Sequence, residues 1–473
     1  MGRYHIALTL ATSPDLQKYF DYDWALIGNL GVDLFVFALG RVMGVEAATK
    51  LVVLATPLIM GAGFLWTAAQ VHGRIPPTAL LALVFTYAYP FHYGFVNYCL
   101  AVAFAVVAFS LWIKLQGRAY ALRAAVFAAA ASMIWISHAV GWVLLCVLCG
   151  SYELWWQWGR RTTWFETLRR TAGNVLPLLA PVILMALAPR GAPLELTGWF
   201  DVQSLAKWVL ALNRDRWLVY DIACTLTIIA ILALAVFHRF GLSFNPALAF
   251  PALALFAVYI LAPDSINGSA FVSARIIPYA AAYALLAIDM ERVGTTALRR
   301  WTLFCAAFVA VRMAATTVSF FLYSASYDRS LQALRHVERG AAVAVFERQF
   351  CQPTLANWGN ARLQHLGGLA IVRRNAFVND QWNAEALQLL TVRYAAAGRF
   401  TNSPSEVVTL MNCQHDYPSY LPDALNQLPR SAFDYVWLFN IPPDERPRRP
   451  WLRLVHASPE SALYAIEPAG SAS

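Results

Sequence analysis

Between Leu51 and Tyr323 the chain is a succession of apolar runs separated by short polar turns. Apolar runs of this length with few charges read as membrane helices rather than as strands or surface helices. Ten can be drawn, at about residues 48–69, 78–92, 95–114, 121–135, 138–156, 172–190, 217–238, 245–262, 274–290 and 301–323. Some, such as 121–135, fall short of the ~20 residues that a straight span needs. The pattern predicts an all-α polytopic membrane domain of about ten transmembrane helices over residues 48–323.

The flanks differ in character. Ser13-Pro14-Asp15 reads as a helix start, a capping side chain followed by proline at the first helical position. Asn29-Leu30-Gly31 interrupts before Val32–Met43, whose apolar residues suit an interfacial helix. Residues 1–47 are drawn as one loop with two short surface helices. After Tyr323, Ser326–Glu338 and Ala384–Ala396 read as helices, and Ala342–Phe346, Leu369–Arg373, Tyr435–Asn440 and Leu452–His456 as strands. Ile441–Pro450 is a proline-rich loop. This alternation predicts a small α/β domain over residues 324–473.

Charge orients the ladder. Arg74; Lys114, Arg118 and Arg123; Arg160, Arg161, Arg169 and Arg170; Arg239; and Arg292, Arg299 and Arg300 fall in every second loop. The 190–216 loop is mixed, with Arg190, Lys207, Arg214 and Arg216 against Glu195, Asp201 and Asp215. Positive residues mark the cytoplasmic side, so residues 1–47 and 324–473 are expected outside. An outside N-terminal segment ordinarily follows a membrane helix; the alternatives are a short tail translocated unaided or a start that lies inside a longer gene, and the second is the expectation. The composition, 59% hydrophobic and 13% charged, is far from the ~25% charge of soluble domains. The net charge of +9 sits in loops, and with no nucleic-acid motif beside it a nucleic-acid partner is excluded.

Five cysteines, Cys99, Cys146, Cys149, Cys224 and Cys305, lie in apolar runs and read as core filling, the Cys146/Cys149 pair included. Cys351 and Cys413 stand in the polar C-terminal region, where an oxidising compartment would pair them as a disulfide.

The expected orientation gathers polar residues at one set of helix ends: Asp21, Asp23 and Asp33; His92, Tyr93 and Asn97; His138; Asp201 and Asp221; Asp264 and Arg275. Asp33 reads either as a helix N-terminal carboxylate or as an acid that takes a proton from an acceptor hydroxyl. Asn97 either joins two helices by a hydrogen bond or contacts substrate with His92 and Tyr93. His138 either caps its turn or binds a phosphate. Arg275 breaks the positive-inside pattern, as a phosphate ligand or a snorkelling side chain would. Arg312, mid-span, calls for a structural partner. Arg373-Arg374 and Asn379-Asp380-Gln381-Trp382 read as a solvated edge with a packed Trp. Asn267-Gly-Ser269 has the glycosylation pattern, too common to weigh. There is no Walker loop, HExxH, GxSxG or DxD pair.

A first outer loop with surface helices and acids, uneven spans and an outer C-terminal domain resemble the polytopic glycosyltransferases of the GT-C superfold. More narrowly, Trp24-Ala-Leu-Ile-Gly-Asn-Leu-Gly-Val-Asp33, Tyr93-Gly-Phe-Val-Asn97, His138 and Arg275 look like a proteobacterial group of such proteins, here without the first transmembrane helix. The resemblance implies an inner-membrane enzyme with a periplasmic C-terminal domain. It implies sugar transfer from a polyprenyl-phosphate carrier to a lipid or glycan acceptor, among membrane lipids. Asp33 would be the catalytic residue, as base or acceptor positioner, and Arg275, His138, His92, Tyr93 and Asn97 the substrate-binding residues. No metal ligands are assigned, and a divalent cation is the one cofactor left open. A transporter or flippase for a lipid-linked glycan would instead need internal repeats and broken helices, and no clear repeat is seen. A non-catalytic membrane assembly protein is the third reading.

Overall fold

The computed structural model describes residues 1–160, 163–189, 195–266, 271–351, 358–359, 362–383, 387–413 and 419–467. Arg161, Arg190 and the Asn267–Ser269 pattern lie outside the described residues. The chain divides into two compact units: Leu26–Leu34 with Leu51–Thr317, and Met1–Ala25 with Phe35–Lys50 and Val318–Ser473.

The protein is a mostly helical, multi-pass membrane protein. Among the described residues six helices are long and apolar enough to cross a bilayer: Val45–His72, Val96–Lys114, Tyr120–Ser137, Ala139–Trp158, Leu218–Val236 and Thr295–His336. A seventh span is formed if the bent pair Trp164–Leu179 and Pro181–Leu187 counts as one. Its 43° bend falls where Pro177 and Pro181 remove backbone donors. The other apolar runs give shorter elements. The run at 78–92 is a 3-10 helix, Pro77–Tyr87, then a single turn, Tyr89–His92. Pro90 can only begin a helix, so the chain extends at Ala88 (ψ 169°) and restarts. Pro246–Leu261 and Val272–Leu286 are likewise short.

Small residues let these helices approach. A Cβ on Gly141 would lie 2.5 Å from the Ala101 methyl, and one on Gly63 would lie 2.8 Å from Val106. Ser110 Oγ donates to Gly63 O at 3.0 Å and shares a 2.6 Å hydrogen bond with Thr67. This is how membrane helices associate when burial alone offers little.

The second unit is built on one sheet with strand order 419–420, 407–409, 342–348, 435–439, 461–466, 452–457, and 377–378 beside 342–348. The 342–348 strand is parallel to 377–378, 407–409 and 435–439, and the last two strands are antiparallel. Val343, Val345, Trp437 and Phe439 are fully buried in its core, joined by Ile6, Leu16, Tyr19 and Phe20 from the chain's beginning. Ser13 caps the Pro14–Gln17 helix by accepting from Leu16 N. Cys351 and Cys413 are disulfide-bonded.

Three expectations change. Leu369–Arg373, drawn as a strand, is the helix Leu369–Arg374, closed by Asn375 in the left-handed region at φ 52°. In the stretch drawn as a helix at 384–396, residues 384–386 lie outside the described set, and Leu390–Val392 is a strand antiparallel to Phe20–Tyr22. The helix expected at Ser326–Glu338 does not begin anew, because a single helix runs from Thr295 to Leu331.

Candidate functional site

The Gly-Asn-Leu-Gly-Val-Asp segment is clamped on two sides. Leu30 N donates to Ile136 O at 2.8 Å and Ala139 N to Gly28 O at 2.9 Å, so residues 28–30 lie along the 136–139 turn. Gly31 sits where any Cβ would meet Ser137 Oγ at 2.1 Å. From the other side, Asn97 accepts from Val32 N at 2.7 Å. Its amide donates to Asn29 O (2.7 Å), Asn29 Oδ1 (3.0 Å) and Asp33 Oδ2 (2.8 Å). Asp33 and Asn97 are both buried. Asn97 therefore fixes the start of the Gly31–Met43 helix and the orientation of the Asp33 carboxylate together.

The next residue carries the cluster further. Tyr98 Oη donates to Arg275 O at 2.5 Å, and its ring packs edge-on to His138 at 5.5 Å. His138 caps the Ala139–Trp158 helix, its Nδ1 accepting from Val140 N at 3.1 Å. The buried Arg275 guanidinium lies 3.9 Å from the centroid of the Phe95 ring. From Phe95 a run of aromatic contacts continues through Tyr93 (4.9 Å) and Tyr89 (5.4 Å) to Trp208 (4.9 Å), with Phe271 packed on Tyr93 and Trp208. Two more cations rest on this wall, Arg214 over Tyr89 (5.4 Å) and Lys207 over Trp208 (4.7 Å). Burial and the neighbouring Arg214 push the Lys207 ammonium below its ordinary value, while Asp264 and Asp201 oppose the shift. Crowded cations on aromatic faces form a surface suited to an anion.

The fold thus brings Asp33, Asn97, His138, Arg275 and Tyr93 into one neighbourhood around residues 95–98. His92 is buried on the short 89–92 helix with its ring edge-on to Phe91. Asp21 is elsewhere, in the other unit, paired with Arg393. Asp201 caps the Val202–Leu210 helix through Gln203 N and Ser204 N. Lys207 and Arg214 were hidden in a loop of mixed charge, and only the interleaved Trp208 hinted at their role.

Other polar groups settle into packing. Arg312 finds Asp221, with Nη1 to Oδ1 at 2.5 Å, and donates to Asn213 O at 2.7 Å. Glu153, fully buried, accepts from Arg123 (3.2 Å), Gln116 (3.1 Å), Gln157 (2.7 Å) and Asn174 (2.7 Å), so Arg123 is no solvated loop cation. In the sheet unit Arg373 pairs with Glu46 through two bonds of 2.9 and 3.0 Å. Asn379 and Asp380, expected at a solvated edge, are buried, and Asn379 bridges to Val345 N at 2.7 Å. Asp380 neighbours Glu347 and Glu406, both fully buried. Burial, then Glu406, holds the Glu347 carboxyl well above its ordinary 4.5. Among the described residues no group of three or more His, Cys, Asp or Glu is arranged to hold a metal ion.

The fold and these contacts define a membrane-embedded helical protein with a buried carboxylate beside a cationic aromatic wall. No protein-family model and no curated protein matches the chain. Two solved structures are similar to it, both of ArnT from Cupriavidus metallidurans. The apo form is 12% identical, with a TM-score of 0.46 over 98% of this chain and 92% of that one. The form bound to undecaprenyl phosphate is also 12% identical, with a TM-score of 0.43 over 93% and 88%.

Proposed function

We propose that this protein is an inner-membrane glycosyltransferase that moves a sugar from a polyprenyl-phosphate carrier to an extracytoplasmic lipid or glycan acceptor. The observation that carries the reading is the junction at Asn97-Tyr98. Asn97 orients the Asp33 carboxylate, and Tyr98 holds the backbone of Arg275, whose guanidinium begins the cationic wall. In the reaction, the acceptor oxygen forms a bond to the anomeric carbon as the bond from that carbon to the phosphate oxygen breaks. The acceptor proton passes to Asp33. The electron pair leaves with the polyprenyl phosphate, whose growing charge is met by Arg275, Arg214 and Lys207. Of the wall's rings the half-buried Tyr93 offers a stacking surface for the sugar, backed by the buried Tyr89 and Trp208, and His138 borders the site through Tyr98. The C-terminal unit is periplasmic on this reading.

The test adds purified protein to a radiolabelled polyprenyl-phosphate sugar with a crude envelope acceptor. Wild type should transfer label, Asp33→Asn should lose at least ~10²-fold in rate, as loss of a general base does, and Arg275→Ala should weaken donor binding. Full activity in both variants overturns the assignment. Movement of intact lipid-linked glycan across vesicles without transfer would favour a transporter, a reading that the bent 164–187 pair suits.

A further inference from the structure

The loop between the 435–439 and 452–457 strands carries Arg446-Pro447-Arg448-Arg449-Pro450. Arg446 is engaged by the loop itself, donating to Ile441 O (3.2 Å), Ser458 O (2.7 Å) and Pro459 O (3.2 Å). With the two prolines fixing φ on either side, these bonds hold the loop in one shape. Arg448 is exposed and Arg449 half-buried, and among the described residues neither side chain makes a hydrogen bond or ion pair. Beside them opens a cavity of about 670 Å³ walled by Leu452, Leu454 and Tyr464. Arg446, Arg448 and Arg449 border it, and among the described residues no acidic side chain does. A second cavity of about 390 Å³ shares Arg448 and Arg449 and has Tyr420 on its wall. Among the described residues its one acid is Glu445, which lies 3.9 Å from Arg348.

We propose that this arginine ridge binds an acidic oligosaccharide, with its carboxylates or phosphates taken by Arg448 and Arg449 and a sugar ring against the half-buried Tyr420. Guanidinium groups match such anions through paired hydrogen bonds. Two cavities meeting at the same cations suit a chain of charged units better than one small anion. A peptide adding as a strand is disfavoured. The adjacent 452–457 edge is bulged between Leu454 and His456, and His336 stacks on His456 at 5.7 Å. The inference goes beyond sugar transfer and does not depend on it.

The experiment titrates detergent-solubilised full-length protein into a fluorescently labelled oligogalacturonate and follows anisotropy, with no donor present. Binding should saturate and weaken as salt rises. The R448A/R449A variant should lose at least tenfold in affinity at unchanged thermal stability, and R448K/R449K should lie between the two. Unaltered binding by R448A/R449A overturns the proposal. So does equal competition by a neutral maltooligosaccharide, or stronger competition by polyglutamate or by anionic vesicles.

Discussion

The buried pair between Arg312 and Asp221 gives the sharpest prediction about what holds the membrane unit together. The two carboxylate oxygens are divided between two donors, Arg312 Nη1 at 2.5 Å and Asp215 N at 2.8 Å. Arg312 Nη2 reaches Asn213 O at 2.7 Å, and Asn213 in turn donates to Thr225 Oγ1 from its backbone (3.3 Å) and its side chain (3.2 Å). Asp221 is fully buried and Arg312 nearly so. Arg312→Met keeps volume but strands a carboxylate, and Asp221→Asn strands a guanidinium. Breaking one side of a buried pair costs about 3–5 kcal/mol, a fall of roughly 10²–10⁴-fold in the folded-to-unfolded ratio. The double variant Asp221→Asn/Arg312→Met removes both charges of the pair. It should lose much less than the sum, with a coupling of at least about 2 kcal/mol, since removing both charges of such a pair is often nearly neutral. The assay is thermal unfolding of the four proteins in one detergent, followed by tryptophan fluorescence and by the surviving monodisperse fraction. A double variant that loses the full sum of the single losses would refute the reasoning, because the two charges would then be acting independently.

Other outcomes follow from the same structure. Because the Glu347 carboxyl is held above its ordinary 4.5, folding favours its protonated form. Its contribution is complete below the ordinary carboxylate range and is lost as pH rises through the raised value. The sheet unit should therefore melt higher at pH 5 than at pH 8, and Glu347→Gln should raise the pH 8 melting temperature and flatten that slope. Gly141→Val should prevent accumulation of folded protein in the membrane, whereas Gly150→Ala, with nothing within 4 Å of a new Cβ, should accumulate as wild type does. Asn97→Ala removes the acceptor of Val32 N and the donor to Asp33. It should cost about 1–3 kcal/mol of thermal stability and lower transfer by reducing the rate constant more than the donor affinity.

Hydropathy made the long spans plain, since 28 residues such as Val45–His72 with few charges have few soluble alternatives. It could not separate the 3-10 run Pro77–Tyr87 from an α-helical span, because both are equally apolar and differ only in which carbonyl each amide reaches. Leu369–Arg374 has the β-branched look of a strand, yet the sheet edge beside it is already filled by Phe377–Val378. Leu390–Val392 sits in an Ala-rich stretch that favours helix, and its strand state comes from pairing with Phe20–Tyr22. No local signal encodes a partner that distant. At the candidate site, Asp33, Asn97, His138 and Arg275 stood out as polar groups at the ends of apolar runs. Lys207 and Arg214 did not, because acids nearby in sequence masked them, and only folding sets them on Tyr89 and Trp208. Arg123 misled for the opposite reason: a loop cation by position, it is tied to Glu153 across a helix pair.

The strand formed by Phe20–Tyr22 also imposes an order of events on synthesis. Arg3 donates to Gln388, 385 residues later, and Ile6, Leu16, Tyr19 and Phe20 complete a core whose other members are translated last. At ~5–20 residues per second, those first side chains wait roughly 20–80 s for their partners. The nascent chain must carry this adhesive segment through the insertion of the spans between Val45 and His336 before it can be buried. Holding the segment apart from the membrane and from neighbouring copies is a demand that the finished molecule no longer displays.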